Sequence, residues 1–144
     1  MKEIAGNIWD FYDKGEWVCI TTNGTVKQNG ECVMGRGVAL EAKNRFIGLA
    51  LSLGNYITEF GNIPIIFHQF RLITLPVKHN WYEKADIDLI KISCDSLRGD
   101  LSALELEKIY LVRPGCGNGQ LKWADVKPEI EKILDDRFII VERQ

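Results

Sequence analysis

A chain of 144 residues is long enough to bury a hydrophobic core without disulfide or metal staples, and it fits one domain spanning 1–144. Its formal net charge of −2, with 26% charged residues of both signs interspersed, offers no basic footprint for general nucleic-acid binding and no polybasic face for a membrane, so any nucleic-acid contact must be local. The four cysteines, Cys19, Cys32, Cys94 and Cys116, lack CxxC spacing, giving no sign of a zinc ribbon or dithiol motif, and read as free thiols. No basic stretch with a following apolar segment opens the chain, and no apolar run approaches the ~20 residues that span a bilayer. The expectation is a cytoplasmic protein in a reducing compartment, with no membrane association, no metal and no cofactor.

In chain order, a short strand near the start leads into a short helix with Ile8, Trp9 and Tyr12 on one side, ending near Gly15. Trp17 to Thr21 is a buried strand by its apolar, β-branched content. The segment "TNGTVKQNGECVMGRG" is rich in turn residues, and in the following "VALEAKNRF" the residues Val38, Ala39, Ala42 and Phe46 share a helical face. "IPIIFHQF" and "LITLPV" predict consecutive strands joined near Gln69 to Arg71. From Asp86, the spacing of Ile87, Ile90, Cys94, Leu97 and Leu101 predicts a long helix. "KIYLVRP" is the next strand, Val126, Ile130, Ile133 and Leu134 mark a helix whose Pro128 fits only its first turn, and "RFIIVE" closes as a strand. Strands alternating with helices define the α/β class with a largely parallel sheet.

Two loops share one design. "MGRG" and "GCGNG" each place several glycines between a strand and a helix, where open α/β sheets bind ligands, beyond the carboxyl ends of the strands. Small residues let backbone N–H groups approach an anion, and the helix behind each loop adds roughly half a positive charge. A diphosphate suits such loops; ordinary turn chemistry is the alternative for either cluster alone. "GRGVAL" has Leu40 where a dinucleotide fingerprint needs a third glycine, and no GK[ST] is present. Six residues after Cys116 stands Lys122 rather than the arginine of a phosphatase loop, so Cys116 reads as a small buried side chain.

Taken together, "GNIWD", "TNG…VMGRGVALEAKNRF", "PVKHNW" and "RPGCGNGQLKWADVKPEIEKIL", in this order, resemble macro domains that bind ADP-ribose, over nearly the whole chain. The nearest branch is that of DNA ADP-ribosyl glycohydrolase antitoxins and terminal ADP-ribose protein glycohydrolase. This resemblance implies a three-layer α/β/α sandwich around a mixed, largely parallel sheet. It places Asn7 and Ile8 at the adenine, with Asn7 in place of the usual aspartate; capping of the following helix is the other reading of Asn7. It sets Asn23 beside the distal ribose, Gly35, Gly37 and Val38 on the diphosphate, and Gly115, Cys116, Gly117, Asn118 and Gly119 around the diphosphate and ribose; Arg36, as many loop arginines do, reads as solvent-facing. Lys78 matches a lysine that takes part in releasing ADP-ribose in the antitoxin branch; a surface cation or phosphate contact is its alternative reading. Asn80 stands where that branch has histidine, and Gly119 where the protein-directed relative has aspartate.

The function expected is therefore binding of ADP-ribose with hydrolysis of nucleobase- or protein-linked ADP-ribosyl groups, Lys78 and Asn23 being the catalytic candidates and ADP-ribosylated DNA a possible substrate. A non-catalytic module for ADP-ribose or a related nucleotide shares every binding feature and differs only at Lys78. The inserted segment Val26–Cys32 has no role legible from sequence.

Overall fold

A computed structural model describes residues 1–144. Its elements are β1 (Lys2–Gly6), α1 (Ile8–Asp13), β2 (Val18–Asn23), α2 (Gly37–Arg45), α3 (Leu49–Phe60), β3 (Ile65–Phe67), β4 (Leu72–Lys78), α4 (Ile87–Leu104), β5 (Ile109–Val112), α5 (Trp123–Ile130) and β6 (Phe138–Arg143). The six strands form one sheet in the order β1-β6-β5-β2-β4-β3. All neighbours run parallel except β3, which pairs antiparallel with β4 at the edge.

Period-two alternation in the strands separates two cores, one on each face of the sheet. Cys19, Ile73, Leu75, Ile109, Leu111, Phe138 and Ile140 pack with Ile90, Cys94, Leu97 and Leu101 of α4 and Val126 and Ile130 of α5. The residues between them, Val18, Ile20, Leu72, Tyr110 and Val141, pack with Ile8 and Trp9 of α1, Ala42 of α2 and Leu49 and Leu53 of α3. Helices α4 and α5 thus cover one face and α1, α2 and α3 the other, which is the three-layer sandwich. Central strands buried on both faces are continuously apolar, as "VCI" and "LITL" are.

Three elements differ from the sequence expectation. Helix α3 occupies a stretch for which no element was expected; its Leu49, Leu53 and half-buried Ile57 recur every fourth residue, but Gly48 and Gly54 interrupt the signal. The strand expected over "IPIIFHQF" stops at Phe67, because His68–Phe70 form a 3₁₀ turn and Arg71 takes left-handed φ of 49° to reverse the chain into β4. Helix α5 begins at Trp123, so Pro128 lies in its second turn, and Ile133 and Leu134 fall in turns beyond its end. The carbonyl that Pro128 leaves without an amide partner is that of exposed Ala124, where water can serve it.

This topology creates a crevice. Adjacent strands β2 and β5 send their chains to opposite faces, β2 to α2 and β5 to α5, and such a switch point is where open α/β sheets bind ligands.

Candidate functional site

The crevice is a cleft of about 960 Å³ at the carboxyl ends of β2, β4, β5 and β6. Both glycine-rich loops line it, through Gly35, Gly37 and Val38 on one side and Gly115, Cys116, Gly117, Asn118 and Gly119 on the other. The two loops meet: a Cβ placed on Gly37, whose φ is +58°, would lie 2.9 Å from the Asn118 amide nitrogen. The glycines of the cleft have different causes. At Gly115 a side chain would strike Ile90 and Leu121 at 2.6 and 2.9 Å, so that glycine is demanded by packing beneath the loop. At Gly35 and Gly117 nothing stands within 4 Å, and the missing side chain leaves open cleft. The nine-residue helix α2 starts at Gly37 with no side chain capping it, so its first amides face the cleft and carry the positive end of the helix dipole.

Charge in the cleft runs against the charge of the chain. Lys27, Arg36, Lys78, Arg113 and Arg143 line it with a single acid, Glu142, which pairs with Arg113 at 3.2 Å. Arg143 pairs with Glu41 outside the lining. Five cations against one carboxylate, in a chain of net charge −2, give the cleft a positive potential that favours an anion.

Lys78 owes its position to a bulge. The register of β2 on β4 slips between Thr22 and Asn23, so that Thr22 faces Pro76 while Asn23 faces Lys78. The Lys78 carbonyl accepts a bond from the Asn62 amide at 2.9 Å, and its ammonium donates to the Trp81 carbonyl at 3.3 Å. Partial burial first, and the nearby Arg36 guanidinium second, hold the Lys78 amine below the ordinary lysine range. Asn23 is committed to its own loop, donating to the Val33 carbonyl at 2.9 Å and accepting from the Thr25 amide at 2.9 Å, which leaves one N–H and one lone pair for a guest.

The inserted segment is a seated structure. Val26 bridges Cys32, the Lys27 amide donates to Glu31 and the Val33 amide to Thr25. The segment lies on α3 where Gly54 has no side chain, and the Cys32 amide donates to the Ala50 carbonyl of that helix at 2.9 Å. It delivers Lys27 to the cleft, and its root, Val33 to Gly37, forms one wall.

Lys78, Asn23 and the eight glycine-loop positions of the sequence expectation all line the cleft, whereas Asn7 and Ile8 do not. Ile8 is buried in the core, and the Asn7 side chain accepts from the Trp9 amide at 3.0 Å as the N-cap of α1. Asn7 follows Gly6, the partner in the sheet of the cleft residue Arg143, and so stands just past the rim. Arg113, Arg143, Lys27 and Asn62 were not expected. Arg113 and Arg143 stand at the carboxyl ends of β5 and β6, a position that the switch-point rule could have marked. Asn62 carries no sequence signal. Among all residues no group of three or more His, Cys, Asp or Glu is placed to hold a metal ion, and no helix is long and apolar enough to cross a membrane.

A mixed sheet of this order between two helical layers, with a glycine-lined anion cleft at its switch point, is the macrodomain fold. The structure is similar over 99% of the chain to the macrodomain of Thermus aquaticus DarG, with TM-score 0.73, 22% identity and 97% of that chain covered. It is similar to the macrodomain of Mycobacterium tuberculosis DarG with TM-score 0.78, 18% identity, and 99% and 97% of the two chains covered. It is similar to Thermosipho africanus DarTG in complex with ADP-ribose with TM-score 0.74 and 19% identity, over 99% of this chain and 41% of that one. No protein-family model and no curated protein matches the sequence.

Proposed function

We propose that the cleft binds ADP-ribose and that the protein releases it by hydrolysing an ADP-ribosyl linkage to a nucleobase or, second, to a protein side chain. The observation that carries the binding reading is the convergence of two open glycine loops and five cationic side chains on one crevice. A pyrophosphate fits that convergence because main-chain amides can approach it where no Cβ intervenes, and the start of α2 adds its dipole. The fold shared with a DarTG structure holding ADP-ribose supports the choice of guest.

For the chemistry, partial burial and the nearby Arg36 hold the Lys78 amine below the ordinary lysine range, and it stands at the outer end of the bulged strand. As the neutral amine it attacks the anomeric carbon while the glycosidic bond breaks and the departing group takes up a proton; water then releases ADP-ribose and restores the amine. A binding-only reading is favoured by one observation: the sole cleft carboxylate, Glu142, is tied to Arg113, so no free acid is present to act as a general base. Lys78→Ala separates the two. The hydrolase reading predicts that release of ADP-ribose from a modified oligonucleotide is lost while calorimetric affinity for ADP-ribose persists; wild-type protein that binds ADP-ribose yet turns over neither modified DNA nor modified protein is a binding module.

A further inference from the structure

Helix α3 ends at Gly61, whose φ of +90° turns the chain while its amide still bonds the Ile57 carbonyl at 2.8 Å. The Ile63 amide bonds back to the Gly61 carbonyl at 3.1 Å, which leaves Asn62 at the apex of a tight turn. Its side chain enters the fork where β2 and β4 end side by side. There the Asn62 Nδ2 donates to the Lys78 carbonyl at 2.9 Å, and a Cβ on Gly24 would lie 2.8 Å from the Asn62 Cγ and Nδ2. Gly24 thus leaves room for the Asn62 amide. The Gly24 amide donates to the His79 carbonyl at 3.2 Å and the Trp81 amide to the Thr25 hydroxyl at 3.0 Å, so the two strand ends are clasped together around Asn62. Only half of that amide is satisfied. Its Oδ1 is buried, and no protein group donates to it. A buried unpaired oxygen is costly, and a leucine of similar size would fill the fork without one. What leucine lacks is the N–H, so the bond to Lys78 accounts for asparagine here better than packing does.

We propose, resting on the hydrolase reading above, that Asn62 is a positioning residue: by holding the Lys78 carbonyl just beyond the bulge, it fixes where the Lys78 amine stands in the cleft, level with Asn23. Asn62 does not line the cleft and acts only through Lys78. A flexible lysine stem is aimed only as well as the backbone that carries it, and a misplacement of about 1 Å can cost about a hundredfold in rate. The amine's own bond, to the Trp81 carbonyl at 3.3 Å, is long and exposed and cannot hold that aim alone. The asparagine bond is shorter, and it reaches the strand end from a third element, the connection between α3 and β3.

The test compares wild type with Asn62→Leu, which keeps the bulk, and Asn62→Asp, which keeps the shape but as a carboxylate cannot donate. Both are expected to lower kcat on an ADP-ribosylated oligodeoxynucleotide about tenfold or more, with KM and calorimetric affinity for ADP-ribose within about twofold of wild type. A second readout needs no turnover: acetylation of Lys78 by acetic anhydride across pH, read by mass spectrometry with exposed Lys122 as the internal standard. In Asn62→Leu the Lys78 profile should move up toward the ordinary lysine value of about 10.4, because an amine no longer held in place loses its partial burial. The charged groups of the cleft, Lys27, Arg36, Arg113, Arg143 and Glu142, are common to both proteins and none bonds Asn62, and His79 is held by Asp86, so the shift reports the place of the amine. Gly24→Ala, whose Cβ presses on Asn62 from β2, should reproduce the kinetic loss and serves if Asn62→Leu does not fold. Undiminished kcat in the leucine or aspartate variant, an affinity for ADP-ribose that falls as far as kcat, or an unmoved Lys78 profile overturns the proposal. If wild-type protein turns over neither modified DNA nor modified protein, the hydrolase reading has failed, and the acetylation profile still decides whether Asn62 positions Lys78.

Discussion

Substituting Gly54 by alanine sets two effects against each other. In an exposed helix the change stabilises, because alanine exceeds glycine in helix propensity by about 1 kcal/mol. Here the new Cβ would sit 1.8 Å from the Gly30 carbonyl oxygen, 2.9 Å from its carbon and 3.0 Å from the Cys32 nitrogen. Those are backbone atoms of the inserted segment, so no side-chain rotation relieves the clash, and the segment must lift from α3. Lifting it breaks the bond from the Cys32 amide to Ala50 and uncovers Cys32, which is fully buried. Overpacking of this kind costs about 1–3 kcal/mol. Set against the propensity gain this leaves about 0–2 kcal/mol, to which the lost Cys32–Ala50 bond adds about 1 kcal/mol, so the net expectation is destabilisation by about 1–3 kcal/mol, read as a melting temperature lower by about 3–9 °C in a chain of this size. Because Val33 to Gly37 follow directly, Gly54→Ala should also weaken calorimetric binding of ADP-ribose. A variant that melts at or above wild type with unchanged affinity would show that propensity wins and that the segment does not rest on this helix.

Cleavage of a modified substrate should rise with pH and level off below the ordinary lysine value of about 10.4, because the Lys78 amine is held low in the fold. Lys78→Arg, which keeps the charge without a nucleophile, should abolish the step, and an active arginine variant would make Lys78 an electrostatic group only. Replacing Arg36 by glutamine removes one of the two causes of that shift and should move the pH–rate curve upward, a displacement absent if the two side chains do not sense each other. Asp86→Ala removes the N-cap of α4, costing about 1 kcal/mol by thermal unfolding at neutral pH. The Asp86 carboxyl is held below its usual range, chiefly by the bond from His79, so its contribution is present above the unfolded value near 3.9 and is lost as pH falls further. The difference between Asp86→Ala and wild type should therefore shrink in acid; a constant difference would assign it to packing alone.

Most of the layer structure was legible in the sequence because strands buried on both faces must be apolar runs and amphipathic helices must repeat near 3.6 residues. Helix α3 was not, since Gly54 lowers helix propensity for a reason that exists only in three dimensions, the passage of Gly30 over it. The same limit governs the cleft. Glycines at strand–helix junctions pointed to the crevice, but only the three-dimensional structure separates Gly115, which makes room for Ile90 and Leu121, from Gly35 and Gly117, which leave open cleft. Lys78 could be named from its motif, whereas the bulge that sets it opposite Asn23 and the Asn62 bond that fixes its backbone join residues distant in sequence. Trp81 was ambiguous because a tryptophan in a short motif is as often core as surface, and its exposure decides the matter.

Calorimetric titration of ADP-ribose into wild-type protein and Gly35→Val addresses the cleft most directly. Gly35 has no positive φ and no neighbour within 4 Å, so valine there leaves the fold intact and occupies only the space assigned to the pyrophosphate. One molecule bound per wild-type chain, more weakly as salt rises, and no measurable binding to a Gly35→Val protein of unchanged melting temperature is the predicted result. A wild-type chain that takes up no ADP-ribose, or a valine variant that binds it as well, would contradict it.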